Sequence, residues 1–146
     1  MSPKWRYYFL GYLMALPHTL VGLFVFVVFY HARSWQWHQG VLTCVADGGV
    51  IWGHPMAQTQ GWVQVFDSEA SRNDAALRVH ETCHVVQAFL LGPVYPLLYG
   101  LTFLVAYARA GFPAQWYDSY MAIPFEEQAY AREAKFKAAP YPAWGD

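Results

Sequence analysis

HETCHVVQ, residues 80–87, decides how the rest of the chain is read. On a helix successive residues turn by about 100°, so His80 and His84 fall one turn apart on one face with Glu81 beside them. Two neutral imidazoles placed in this way can share one divalent metal, and the adjacent carboxylate can take a proton from an attacking water. The pattern predicts one zinc ion at His80 and His84, with Glu81 as the candidate general base. Gln87 lies seven residues after His80 and returns to the same face, where it can orient a ligand. Cys83 is about 100° around the helix from His84, so it flanks that face.

Around this motif the composition is unusual. The chain has 146 residues, of which 56% are hydrophobic, 19% aromatic and 13% charged. A soluble domain carries about a quarter charged residues, so the sequence predicts contact with lipid or a large partner. The length supports one modest core. A net charge of −1 and the lack of any Lys or Arg run exclude the electrostatic footprint of nucleic-acid binding.

Tyr7 to Tyr30, YYFLGYLMALPHTLVGLFVFVVFY, contains no Asp, Glu, Lys or Arg. A bilayer core needs about 20 apolar residues, which this run supplies. Lys4 and Arg6 precede it, and Trp5, Tyr7, Tyr8 and Tyr30 suit the interfaces at its ends. A signal peptide has an apolar region of about 7 to 15 residues ending at small residues, which HARSW does not provide. The reading is an uncleaved transmembrane anchor over residues 1–33 with its start in the cytoplasm, and a membrane-associated domain over 34–146 outside. Pro17 predicts a kink. His18 predicts either a hydrogen bond to a neighbouring subunit or a ligand for a metal or tetrapyrrole.

After the anchor, Trp35, Trp37, His31 and His38 read as an interfacial collar. From Gly40 to Phe66 the period changes to two. VLTCVA, a DGG turn and VIW predict a hairpin, GHPMAQTQG a loop, and WVQVF a further strand. Two roles are open to that last strand: an exposed edge beside the metal helix that pairs with extended substrate, or an ordinary core strand. Ser71 or Asn73 is the expected N-cap of the metal helix, and Gly92 with Pro93 its stop. Cys44 and Cys83 are expected as free, buried thiols, with a bridge as the alternative.

Two histidines leave the metal short of ligands. A third His six residues after the second, with Gly midway, is one known solution, but Leu90 and Gln87 hold those positions. PFEEQAYAREAKFKAA offers Glu126, Glu127 and Glu133 on a later helix that begins at Pro124. Glu126, Ala129, Tyr130 and Glu133 share one face, and the small Ala129 permits close approach. Between the two helices, Val94 to Ala108 makes about 22 Å of helix, short of the roughly 30 Å hydrocarbon core. Loop charges favour crossing, since Arg109, Arg132, Lys135 and Lys137 would then join Lys4 and Arg6. Crossing would separate Glu126 from His80, so the preferred reading is a helix lying in the interface or dipping into one leaflet.

HETCHVVQ, GPVYPLLY and PFEEQAY, with QTQGWVQV upstream, resemble a group of small bacterial membrane proteins. Their pattern is HExxHVxQ, a GP-x-x-x-P step, an NPFExxAY helix and a T-x-G-x-V-x-V strand. That group is similar to gluzincin-type zinc metallopeptidases. The resemblance covers about residues 58–132 and implies an α+β membrane protein with a minimal zincin-like core. It implies zinc on His80, His84 and Glu126, Glu81 as general base, and a peptide substrate. The setting it implies is a bacterial inner membrane, with the main domain on the periplasmic side. Ile123 stands where the pattern has Asn, AFLLG follows Gln87 in place of a polar segment, and Cys83 is also unusual. These departures make the surroundings of the metal helix more apolar. They keep a second expectation open: a non-catalytic accessory subunit of a larger membrane complex, respiratory or photosynthetic, with a zincin-derived fold. Tyr120 and Tyr130 are the candidates for an oxyanion donor.

Overall fold

A stripe of small and polar side chains on the first helix organises the architecture. In the computed structural model, which describes residues 3–49, 55–110 and 116–139, helix α1 runs Pro3–Val28. Gly11, Ala15, His18, Thr19, Gly22 and Phe26 are buried along one side of it. Leu13, Leu20, Val21, Phe24 and Val27 are exposed on the other. This reverses the pattern of a water-soluble helix, whose apolar stripe faces the core. Small residues at the contact let backbones approach closely, the habit of helices that pack in lipid.

The sheet comprises β1 (Arg33–His38), β2 (Val41–Val45), β3 (Ala57–Gln60) and β4 (Val63–Phe66), in the order β1-β2-β4-β3. β1 and β2 are antiparallel, β2 and β4 parallel, and β4 and β3 antiparallel. Cys44, Val63 and Val65 cluster with Phe26 and Tyr30, so one face of the sheet lies on α1. The opposite face carries the paired Thr43, Gln64 and Thr59, and Thr59 reaches the metal helix.

Three strand expectations are corrected. The hairpin turns at Gln39 and Gly40, both at positive φ (46° and 82°), and not at DGG. Two positive φ values match the twist of a tight two-residue turn, which makes β1, read as a collar, the partner of β2. DGG forms a short 3-10 turn, and VIW lies outside the described residues. The stretch read as a loop contains β3. Of the two roles open to WVQVF, the edge is overturned and the core strand holds: it is central in the sheet as β4, and β3 takes the edge. Gly53, Pro55 and Gly61 had suggested a loop, but a short polar strand at an edge tolerates such flanks.

Helix α2 (Glu69–Asn73) is capped by Ser68, and α3 (Ala75–Leu91) by Asp74, which accepts from the Ala76 and Leu77 amides at 2.8 and 3.2 Å. The expected caps Ser71 and Asn73 lie inside α2. Asp74 takes the role because its backbone is extended (ψ 111°) just where its carboxylate can reach two orphan N–H groups. Gly92, at φ +56°, ends α3 as expected. Helices α4 (Tyr95–Ala110), α5 (Trp116–Met121) and α6 (Pro124–Ala138) complete the chain. Like α1, α4 turns polar groups inward at Tyr95 and Tyr99 and leaves Leu97, Leu101 and Leu104 exposed.

Phe9–Val28 and Ala75–Ala110 are each long and apolar enough to cross a membrane, by length and composition. The second is interrupted at Gly92. Cys44 and Cys83 are free and buried. Burial pushes the Cys44 thiol up to about 12.

α1 meets the sheet most tightly at Gly61 (φ +63°), where a Cβ would lie 2.0 Å from Thr19 Oγ1 and 2.9 Å from the Thr19 amide. The Thr19 hydroxyl accepts there from the Trp62 amide at 3.2 Å. Gly61→Ala is expected to destabilise the fold by about 2–4 kcal/mol, combining left-handed strain with backbone overlap. Thermal unfolding in detergent, followed by circular dichroism, checks this against the exposed Gly100→Ala, which should change little.

Candidate metal centre

α3 presents the motif because its buried face is continuous from Val79 to Val85 and resumes at Gln87. α6 lies against it with Ala129 fully buried, so the absent side chain sets a short approach between the helices. Pro124 opens α6, and Glu126 stands in its first turn, where the helix dipole favours a carboxylate. His80, His84 and Glu126, all buried, form a group able to hold a metal ion.

The distances within the group are regular. His80 Nε2 and His84 Nε2 are 3.3 Å apart. Glu126 Oε2 is 3.3 Å from His80 Nε2, and Glu126 Oε1 is 3.3 Å from His84 Nε2. A tetrahedral zinc with bonds near 2.0–2.1 Å holds neighbouring donors about 3.3 Å apart, the separation of the two imidazole nitrogens, while the carboxylate meets each imidazole with a different oxygen. Glu126 is 2% exposed, and its Oε2 has no hydrogen-bond partner. A buried carboxylate oxygen without a partner is costly, and a cation between the imidazoles removes that cost.

Each ligand is itself held. His84 Nδ1 lies 2.9 Å from Gln87 Oε1 and 3.1 Å from the Tyr95 hydroxyl. With the Nδ1 proton donated to Gln87, the Nε2 lone pair is free for metal. Gln87 in turn donates to Gln128 Oε1 at 2.8 Å and to the Phe125 carbonyl at 3.1 Å, tying α3 to α6. Glu133 Oε2 is 3.2 Å from His80 Nδ1, which places it behind the ligand and not among the ligands. Glu127 is exposed. The Tyr99 hydroxyl donates to Glu126 Oε1 at 2.6 Å.

Glu81, 5% exposed, accepts from the Thr59 hydroxyl at 2.6 Å, so the edge strand β3 fixes its carboxylate. Burial works against the Glu126 carboxylate, but the adjacent His80 and His84 imidazoles and the Tyr99 hydroxyl outweigh it and hold the carboxyl well below its usual range. Burial, with the Glu126 charge second, keeps the Tyr120 phenol well above its ordinary value, so it stays a neutral donor. The Tyr130 phenol is pushed up to about 12 by burial and the same charge. Its ring packs edge-on to His80 at 4.4 Å.

The structure therefore brings together His80, His84, Glu126 and Gln87, with Tyr120 and Tyr130 nearby. His18 is elsewhere, buried on α1 with its ring 5.7 Å from Tyr95. Sequence reasoning did not single out Thr59, Tyr95, Tyr99 or Gln128. Tyr95 and Tyr99 carried a usable signal: two hydroxyls four residues apart on an otherwise apolar helix. Thr59 is the Thr of the T-x-G-x-V-x-V pattern, a signal that reading GHPMAQTQG as a loop leaves without a role. Comparison with known proteins gives no matching family model, no matching curated protein and no matching solved structure.

Protons compete with metal at His84, where burial favours the neutral imidazole but the Glu126 and Glu81 carboxylates outweigh it and raise its pKa above the ordinary value of about 6.5. Glu126, held low, keeps its charge through that range; its contribution is lost only as pH falls through its own depressed value. Affinity for a divalent metal should therefore begin to fall above pH about 6.5 and keep falling as the pH drops, as His84 takes up a proton in exchange for the ion. Competition titrations across pH 5–9 check this, and an affinity that stays flat over that range would count against it. His84→Ala should abolish binding, and Glu81→Gln should leave it intact.

Proposed function

We propose that this chain is a membrane-associated zinc metallopeptidase of the gluzincin type, with His80, His84 and Glu126 as metal ligands and Glu81 as general base. The observation that carries the reading is the set of three donor contacts at 3.3 Å, with a carboxylate oxygen otherwise unsatisfied. The buried Glu81 beside it adds the second group that hydrolysis needs. Outward apolar faces on α1 and α4 support an inner-membrane setting with the site at or near the bilayer surface.

Zinc, when bound, acts as a Lewis acid that polarises a peptide carbonyl and makes a water more acidic. The chain's own groups do the rest. Glu81 accepts a proton from the attacking water as its oxygen bonds to the carbonyl carbon. When the C–N bond breaks, Glu81 returns that proton to the leaving amine. Thr59 holds the Glu81 carboxylate in one orientation while this happens. Tyr120 and Tyr130, neutral phenols near Glu126, are the candidate donors to negative charge on the carbonyl oxygen.

One observation favours a second reading. All four central groups are buried, and extended apolar faces of α1 and α4 stand uncovered. Both suit a non-catalytic metal-bearing subunit of a larger membrane complex. The two readings separate on Glu81→Gln in detergent-purified protein. For the peptidase, this variant should retain about one zinc per chain while cleavage of a quenched-fluorescence peptide library falls roughly 10²–10⁴-fold, the usual range for loss of a general base. Zinc retained in a wild-type protein that cleaves nothing, and that purifies at fixed ratio with larger membrane proteins, would favour the subunit.

A further inference from the structure

We propose that α1 does not cross the membrane but lies along its surface, with its outer face sunk into one leaflet and the sheet standing on it in water. Of the function proposed above, this takes only the membrane setting.

The chain is packed along the whole apolar length of α1. At one end the Tyr12 hydroxyl donates to the Gly40 carbonyl, and its ring meets Trp62 and Phe89 edge-on at 5.8 and 4.9 Å. Midway, Thr19 accepts from the Trp62 amide, and a Cβ on Gly22 would lie 2.2 Å from that of Gln60. At the other end Phe26 and Tyr30 pack on Cys44 and Val65, and the Tyr30 carbonyl accepts from the Asp47 amide at 2.9 Å. β2 spans from Gly40 to Asp47 between these ends. The sheet therefore runs beside the same residues that would have to fill the hydrocarbon core.

An upright α1 would carry β1 into lipid with it. β1 is an open edge of the sheet, and all six of its residues are exposed. Arg33, paired with Asp47, stands at the Tyr30 end, and His38, beside Arg78, at the Tyr12 end. Lipid-exposed sheet edges do not occur within the hydrocarbon region, because nothing there satisfies their free backbone groups. With α1 lying flat, β1 stays in water.

Lipid also fits the outer face better than a second protein does. No exposed side chain from Phe9 to Phe29 is polar, while Tyr12, His18, Thr19 and Tyr30 turn inward. Protein interfaces carry about one hydrogen bond per 100–200 Å², and this face, about 30 Å long, offers no side chain for one. Exposed Trp37 meets Trp62 edge-on at 5.8 Å beside Tyr12, where a headgroup layer suits its ring.

Two readouts on the full chain test this. Ser2→Cys, Gln36→Cys and Lys137→Cys are labelled singly with a membrane-impermeant maleimide in spheroplasts and in everted membrane vesicles. The unsubstituted protein, whose Cys44 and Cys83 are buried, gives the background. All three should react from the same side. Ser2→Cys and Gln36→Cys reacting from opposite sides overturns the proposal, whether or not α4 crosses as well. Depth is read from spin labels at Leu13→Cys, Leu20→Cys and Val27→Cys, in vesicles of phosphatidylethanolamine and phosphatidylglycerol, by relative access of oxygen and a nickel chelate. The three should lie at one depth, about 5–10 Å into the headgroup and acyl boundary. A label at Leu20→Cys about 10 Å deeper than the other two, the seven-residue offset of a crossing helix, overturns the proposal. Labels closed to both probes mean that a protein covers the face, which overturns it too. A chain that does not float with the vesicles overturns the membrane setting and this inference together, and leaves zinc binding and cleavage to be judged by their own measurements.

Discussion

The contact between α3 and α6 is the constraint on which the rest depends. It brings a carboxylate from the first turn of one helix between two imidazoles one turn apart on the other, and closes over them so that none is more than a few per cent exposed. Such a cluster is expensive to bury unless each group has a partner. The hydroxyls of Tyr95 and Tyr99, the amides of Gln87 and Gln128, and the buried methyl of Ala129 all serve that contact. Within this cluster Glu126 Oε2, which faces His80 Nε2, and His80 Nδ1, which faces Glu133 on the far side of the ring, are left without a well-aligned hydrogen bond.

Around this contact the chain is arranged in an unusual sense. Helices α1 and α4 keep glycine, alanine, threonine, histidine and tyrosine inside and leave leucine, valine and phenylalanine outside, while α6 leaves Glu127, Arg132, Lys135 and Lys137 exposed. The exposed faces of α1 and α4 suit an apolar solvent, and that of α6 suits water. The sheet joins the two. One face packs on α1 through Phe26 and Tyr30, and the other carries Thr59 to Glu81.

The elements with a long, consistent period were legible in the sequence. Tyr7 to Tyr30 reads as one apolar helix, HETCHVVQ as a helical face, and PFEEQAY as a helix started by proline, and each is helical in the structure. The sheet was read less well because its strands are short and its punctuation misleads. DGG is the stronger turn signal on paper, yet the chain turns at Gln39–Gly40. The polar AQTQ, flanked by glycine and proline, has no period at all, and only pairing with β4 makes it a strand.

Spacing alone placed His80 and His84 on one face and Glu81 beside them, because the 3.6-residue turn is a local property that needs no partner. A later helix with glutamates on it was equally visible. The resemblance pointed to Glu126 among the later glutamates, and the structure groups it with the histidines; which strand lies beside Glu81, and which hydroxyls hold these side chains, were decided only by tertiary structure. Those contacts join residues far apart in the chain: Glu126 with His80, Tyr99 with Glu126, and Thr59 with Glu81. Their geometry follows from how closely α6 can approach α3 over Ala129, a distance that no local pattern encodes.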